Sequence, residues 1–436
     1  MIWLYRLAYL PALLIALPYY GWRMWRRGGY SKDVAHRWGK LGNIPPRRSG
    51  VKRIWIQSVS VGEALALAPL LRALDADDGV EVFLTTTTST GRKLIEERYA
   101  DCTRWQGIFP LDFVLFSGRA WKRIQPDLVI LMESELWPEH LQQAAKRKAP
   151  VVLINARMSQ RSARRYAKMG AFSKTLLRPI SQILAAGERD AKNFELLKLD
   201  CPIETVGNLK FDFDPSSSTL EADALASLLS EIGFTTEDLI IVGASTWPGE
   251  ESALVEATKH LREAGLPVRL LLVPRHAERR AEITRELKAA KVPFHLRSEG
   301  ATSAQDVVCY VADTTGELRS FIQLADIAFI GKSLPPHGDG QTPIEGAAFS
   351  KPLLFGSGMS NFQALANELL QSDAAIEVTA EDLPEVLNTL VRHEAERLER
   401  GQNARAVFER HRGAVGRILR QLETRLHACS THNGQT

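Results

Sequence analysis

Residues Arg53–Leu74 read RIWIQSVSVGEALALAPLLRAL. An apolar, β-prone run (Arg53–Ser58) passes through a small-residue turn into a helix-period segment (Gly62–Leu74). A strand that feeds a helix through a tight turn is the repeating unit of a parallel sheet. The pattern recurs at Val80–Thr86, Leu128–Met132, Val151–Ile154 and Gln182–Ala185, with helical stretches such as Gly91–Tyr99 between the runs. After Asp212 the sequence DPSSSTLEAD reads as a linker, and the alternation restarts. Its second series comprises Leu239–Gly243, Val268–Val273, Asp306–Val311, Asp326–Ile330, Pro352–Phe355 and Ala375–Val378. The expected class is therefore α/β, with two parallel-sheet domains facing a cleft and ligands held at the carboxyl ends of the strands. No GxGxxG or Walker sequence is present, so dinucleotide and P-loop readings lack their fingerprint. The expected boundaries are 1–30 for an amino-terminal segment, 31–211 for the first domain and 212–220 for the linker. The second domain follows over 221–404, then a terminal helix over 405–425 packing back across the domains, and a tail over 426–436.

The amino-terminal segment carries an address. Ile2–Tyr20 is apolar and close to the ~20 residues that cross a bilayer, although Arg6, Pro11 and Pro18 make it a poor span. The first 53 residues hold eleven Lys or Arg against one acid, Asp33. Trp22, Trp25, Tyr19 and Tyr20 suit an interfacial belt, and Arg23, Arg26 and Arg27 just beyond it predict a cytoplasmic body on an anionic membrane surface. The charges follow the apolar run and no small-x-small cleavage site appears, which disfavours a signal peptide. A spanning helix and an in-plane anchor both remain open. The 436-residue chain is otherwise of ordinary composition, with a formal charge of +4. A second basic block, Arg157–Arg178, has seven Lys or Arg and no acid, and reads either as a solvated helix face or as a dock for phosphate groups. Cys102, Cys201, Cys309 and Cys429 lie far apart with no metal spacing and read as reduced cytosolic thiols. Nucleic-acid binding finds no motif to support it, and it leaves the anchor unexplained.

Chemistry-bearing residues gather where runs end. Glu63 opens the helix after the first strand, where a carboxylate could take a proton from a hydroxyl. Acids in a first helical turn also favour the macrodipole for structural reasons alone. MESELWP (Met132–Pro138) follows another strand, and continued alternation would put Glu133 and Glu135 on one side. Lys210, in GNLKFD, closes the first half. In the second half, GASTWPGEE (Gly243–Glu251), Pro274-Arg275-His276, DTTGEL (Asp313–Leu318) and PPHGDGQTPIE (Pro335–Glu345) all follow strands. Such loops at the helix starts of one domain make a nucleotide-type pocket credible.

In this order, these sequences resemble the bacterial 3-deoxy-D-manno-octulosonic acid (Kdo) transferases of lipopolysaccharide inner-core synthesis. The likeness rests on the anchor, Arg37-Trp38-Gly39, SVSVGE, MESELWP, INARMS, GNLKFD, PRH and DTTGEL, and spans nearly the whole chain. The resemblance implies two Rossmann-like domains of glycosyltransferase B architecture, acceptor-binding first and CMP-sugar-binding second. It further implies the inner membrane's cytoplasmic face, no metal and no cofactor, and transfer of Kdo from CMP-Kdo to a lipid A precursor of the lipid IVA type. Glu63 would be the general base of an inverting reaction, with Glu133 and Lys210 stabilising the transition state. Pro274, Arg275, Thr315, Gly316, Glu317, Thr342, Pro343, Ile344 and Glu345 match the CMP-binding segments. Departures cluster on the donor side. Thr342 replaces an asparagine, Trp247 stands where a histidine is common, and Lys332 replaces a glycine. They keep open another nucleotide sugar or lipid acceptor, or a non-catalytic nucleotide-binding protein. With the basic collar beside the first domain, the acceptor side is expected to face the membrane and the donor side the cytosol.

Overall fold

The computed structural model describes residues 2–26, 33–300, 306–314 and 316–432. It divides into two compact units, residues 1–213 with 412–436, and residues 214–411. Each is built on one seven-stranded sheet in which every pairing is parallel.

The first sheet contains β1 (Lys52–Ser58), β2 (Val80–Thr86), β3 (Trp105–Ile108), β4 (Leu128–Met132), β5 (Val151–Ala156), β6 (Ile180–Ala185) and β7 (Ile203–Thr205). Their spatial order is β3-β2-β1-β4-β5-β6-β7. Side chains of β1 alternate between two cores. Ile54 and Ile56 meet Leu84, Leu128 and Ile130 on one face, while Trp55 meets Phe83, Trp121 and Val129 on the other. Burial on both faces is why these strands read as unbroken apolar runs. The second sheet contains β8 (Leu239–Thr246), β9 (Val268–Pro274), β10 (Phe294–Leu296), β11 (Cys309–Val311), β12 (Ile327–Ile330), β13 (Leu353–Phe355) and β14 (Ala375–Glu377). Its order is β10-β11-β9-β8-β12-β13-β14. In each sheet the chain starts at a central strand, fills one side and then returns to build the other; in the second sheet β10 takes the edge and β11 inserts between it and β9. The reversal falls between β1 and β4 in the first unit and between β8 and β12 in the second, and a crevice opens there at the strands' carboxyl ends.

The linker sequence DPSSSTLEAD begins at the boundary between the two units, and in it a short 3-10 turn, Pro215–Ser218, leads straight into the helix Thr219–Glu231. The segment 405–425, expected as one helix, is not one. Helix Glu394–His411 belongs to the second unit and helix Ala414–His432 to the first. Gly413 breaks them with φ +92°, a conformation natural to glycine, and the Asp212 carboxylate accepts the N–H groups of Gly413 and Val415. Ala414, Ile418 and Leu422 are buried in the core beneath β1.

The amino-terminal helix Ile2–Arg26 is long and apolar enough to cross a membrane by length and composition. It is also docked. Arg6 makes a forked pair with Glu139 at 2.7 and 3.0 Å, and the Tyr5 hydroxyl donates to Asp112 at 2.6 Å. Tyr9 stacks on Phe113. Glu139 has a fully buried side chain and opens the helix Pro138–Arg147, whose first N–H groups also bond Asp112. Burial pushes the Asp112 carboxyl up to about 6 despite these donors. The opposite face of the helix leaves Trp3, Leu7, Leu14 and Ile15 exposed. Of the basic collar, Arg27 and Lys32 and the side chains of Arg23 and Arg26 fall outside the described residues.

Candidate functional site

The first unit gathers four charged side chains at its β1/β4 crevice. Ser60 caps the helix Val61–Ala66, its hydroxyl oxygen accepting the Glu63 N–H at 3.2 Å. Glu63 folds back in return, one carboxylate oxygen accepting the Val59 N–H at 2.8 Å and the other the Ser60 hydroxyl at 2.9 Å. This is a variant of the capping box, with the carboxylate taking the N–H one residue before the cap, and it is a structural device. It also holds the carboxylate in one orientation at 7% exposure. Burial raises the Glu63 proton affinity, the Val59 N–H lowers it, and the nearby Glu133 raises it again, leaving the carboxyl above its ordinary range. A carboxylate whose proton affinity is raised by burial is shifted in the direction that general-base chemistry uses.

Glu133 arrives differently from the sequence expectation. Strand β4 stops at Met132, and Glu133 turns into the left-handed region at φ +52°, so period-two alternation does not govern it. Glu135 nevertheless lies within electrostatic reach of both other acids. Burial first, then Glu63 and Glu133, push its carboxyl up to about 7. Lys210, in the short turn Leu209–Phe211, places its ammonium 3.7 Å from Glu133 Oε1. A non-glycine residue held at positive φ beside a buried charge cluster is typical of a working site. The structure therefore brings Glu63, Glu133 and Lys210 together.

Asn155 was not singled out as a functional residue by sequence reasoning, although it lies inside INARMS. It is the penultimate residue of β5, fully buried at φ +48°, its Oδ1 accepting the Leu209 N–H at 3.1 Å. That bond fixes the turn carrying Lys210, while the buried Nδ2 has no partner among the described residues. Of the basic block Arg157–Arg178, Arg161, Arg164, Arg165, Lys168 and Arg178 are exposed on or beside the helices Gln160–Lys168 and Ala171–Leu177.

The second unit collects its loops at the β8/β12 crevice. Gly331 is obligatory there, because a Cβ would lie 2.3 Å from the Ser245 carbonyl oxygen. Pro274 ends β9 buried, and Arg275 follows it exposed, its N–H bonded to the Thr246 carbonyl. Glu345 keeps one buried oxygen with no hydrogen-bond partner among the described residues, an open acceptor for a ligand hydroxyl. The other sequence-derived positions are less available. Ile344 and Pro343 are buried, so Ile344 serves the core through its side chain. Thr342 accepts the Ile344 N–H at 3.3 Å. Gly316 is exposed at φ +99°. Burial tends to raise the Glu317 carboxyl, but the paired Arg297 and the Thr314 hydroxyl outweigh it and hold it below the ordinary range. Thr315 lies outside the described residues.

Glu250 is the feature that sequence reasoning missed. It is 1% exposed, and its carboxylate accepts four backbone N–H groups: Trp247 and Lys332 at 2.8 Å, Ser333 at 2.8 Å and Leu334 at 3.1 Å. One side chain thus ties the loop after β8 to the loop after β12 and fixes the crevice mouth.

Known proteins bear out the architecture. Residues 32–213 match a family model described as 3-Deoxy-D-manno-octulosonic-acid transferase (kdotransferase). The 3-deoxy-D-manno-octulosonic acid transferase of Haemophilus influenzae is 32% identical over 95% of this chain and 97% of its own length. The enzyme of that name from Bordetella pertussis is 31% identical over 92% of this chain and 94% of its own. Among solved structures, UDP-GlcNAc 2-epimerase from Neisseria meningitidis bound to UDP-GlcNAc superposes with a TM-score of 0.58 at 12% identity, over 85% of this chain and all of that one. MnaA of S. aureus with UDP gives 0.56 at 13% identity, over 86% of this chain and 97% of that one. At such identities the likeness is one of fold, a pair of Rossmann-like units of the glycosyltransferase B type.

Proposed function

The chain belongs to the 3-deoxy-D-manno-octulosonic acid transferase family, and from that premise we propose that it moves Kdo from CMP-Kdo to a sugar hydroxyl of a phosphorylated lipid A precursor of the lipid IVA type. Glu63 takes the proton of the acceptor hydroxyl while that oxygen attacks the anomeric carbon. The bond from that carbon to the CMP phosphate oxygen breaks, and CMP leaves with the electron pair. Attack opposite the leaving group inverts the centre. Lys210 offsets negative charge developing on CMP, and Glu133 holds Lys210 and faces the cationic character of the sugar. Arg275 and Glu345 serve the nucleotide, through its charge and its ribose hydroxyls respectively. The domain roles follow: residues 31–211 bind acceptor and 221–404 bind the CMP-sugar. Helix Ile2–Arg26 holds the body at the cytoplasmic face of the inner membrane, where exposed cations on helix Gln160–Lys168 suit acceptor phosphates.

One observation carries the reading most. In a chain whose relatives match it almost end to end, Glu63, Glu133 and Lys210 share the β1/β4 crevice, with Lys210 3.7 Å from Glu133. The departures in HGDGQTPIE favour testing a second donor class alongside. Purified enzyme is incubated with the lipid acceptor and either CMP-Kdo or UDP-sugars. Transfer from CMP-Kdo alone is expected, and transfer only from a UDP donor overturns the assignment.

A further inference from the structure

Lys332 occupies a position that its own backbone disfavours. It sits two residues beyond β12, at φ +61°, in the loop that closes the β8/β12 crevice. Most other lysines with positive φ, such as Lys148 at the end of helix Pro138–Arg147, cap helices, where the left-handed conformation is routine. Lys332 caps none. Glycine would take this conformation without strain. Among the described residues, the other charged residue at positive φ within two positions of a switch-point strand's end is Glu133 in the first unit, already in the charge cluster there. Lys332 is its counterpart in the second unit, with the opposite charge.

The surroundings hold the ammonium ready rather than bury it. Its Nζ lies 2.6 Å from Asp339 Oδ2 and 4.5 Å from the centroid of the Trp247 ring. Asp339 is exposed, so it can turn away from the pair at little cost. Trp247 is itself fixed, packing against His276 and His337 at ring-centroid distances of 5.3 and 5.6 Å. Its indole N–H is buried with no partner among the described residues, an unused donor on the ring beside the ammonium. Arg275 adds an exposed guanidinium at the end of the adjacent strand. A cation kept in a strained backbone, paired only with a displaceable exposed acid, is an anion site awaiting its ligand.

We propose that Lys332 is a donor-recognition residue: its ammonium leaves Asp339 and binds an anionic oxygen of the CMP-sugar, with Trp247 as the platform that orients it. The inference rests on the CMP-Kdo reading above. CMP-Kdo offers two such anions, the phosphodiester and the sugar carboxylate, and the test separates them.

Lys332→Gly, Lys332→Met and Lys332→Arg are compared with wild type in donor-saturation kinetics, CMP inhibition and thermal melting of the full chain. Losing a charged hydrogen bond raises the donor KM about tenfold in Lys332→Gly and Lys332→Met. Lys332→Arg stays near wild type, and Lys332→Gly melts no lower than wild type because the left-handed strain is relieved. A parallel rise in the CMP inhibition constant assigns the phosphate, and an unchanged constant assigns the carboxylate. A wild-type donor KM in both Lys332→Gly and Lys332→Met overturns the inference while leaving the proposed function intact. Wild-type protein that does not turn over CMP-Kdo removes the proposed function, and the inference with it.

Discussion

Glu63 has two jobs in the structure, and Glu63→Gln separates them. As a cap, its carboxylate accepts the Val59 N–H and the Ser60 hydroxyl. A glutamine carbonyl can keep one of these bonds and Gln is itself a capping-box residue, so the stability cost is about 1 kcal/mol or less. In a unit of this size that lowers Tm by roughly 2–4 °C. As a base, Glu63 cannot be replaced by an amide, and a positioned general base contributes on the order of 10²–10⁴ in rate. That range is about 2.7–5.4 kcal/mol of activation free energy. The expectation is thus a folded protein with near-normal melting and kcat down by at least a hundredfold. The pH profile adds a second readout. Glu63 must be deprotonated to act, and burial raises its carboxyl above the ordinary range. Activity therefore climbs with pH along an acid limb displaced upward from that range, and Glu63→Gln flattens the limb. The assay is initial-rate transfer across the pH range, with melting curves on the same preparations. A folded Glu63→Gln enzyme within tenfold of wild-type turnover would show that the residue is a cap and nothing more.

Three further outcomes follow from the same geometry. The Lys210 charge favours ionised Glu63 and the Glu133 charge opposes it, so Lys210→Met moves the acid limb to higher pH and Glu133→Gln moves it lower. Shifts in the reverse sense, read from kcat against pH, refute the cluster's electrostatics. Glu250→Ala strands four backbone N–H groups and is expected to cost about 3–5 kcal/mol after partial rehydration. Calorimetry should place its Tm roughly 10 °C below wild type, and an unchanged melt contradicts the brace. Arg6→Ala leaves the buried Glu139 with only the Gln143 amide, which is expected to cost about 2–3 kcal/mol once the partly exposed guanidinium is allowed for. An unaltered Tm in detergent would mean that the amino-terminal helix is not docked.

The sheet strands were legible where both faces are buried, because β1, β4, β8 and β9 then carry runs of consecutive apolar residues. The short strands β3, β7 and β10 were not, since three or four residues carry too little pattern. Glu63 and Lys210 could be picked out because they flank strand or turn boundaries with their own local signals. What joins them was hidden. Glu133 reaches Lys210 across 77 positions of sequence (210 minus 133), from a backbone conformation that no residue-type pattern announces. The same holds for Arg6 and Glu139, which only the fold brings side by side. Glu250 carries no signal of its own within GASTWPGEE, and its four-fold role depends on a loop more than 80 residues downstream. Ile344, in the same ligand-loop sequence as Glu345, has a buried side chain because its helix turns it inward.

The proposed activity is transfer of Kdo from CMP-Kdo by the cluster around Glu63. Its most direct test is incubation of the purified full chain with CMP-Kdo and a tetraacylated lipid A precursor, followed by mass measurement of the lipid. Product heavier by whole Kdo residues is expected with wild type, and essentially unmodified lipid with Glu63→Gln over the same initial-rate interval. Unmodified lipid with both proteins, or equal product from both, would contradict it.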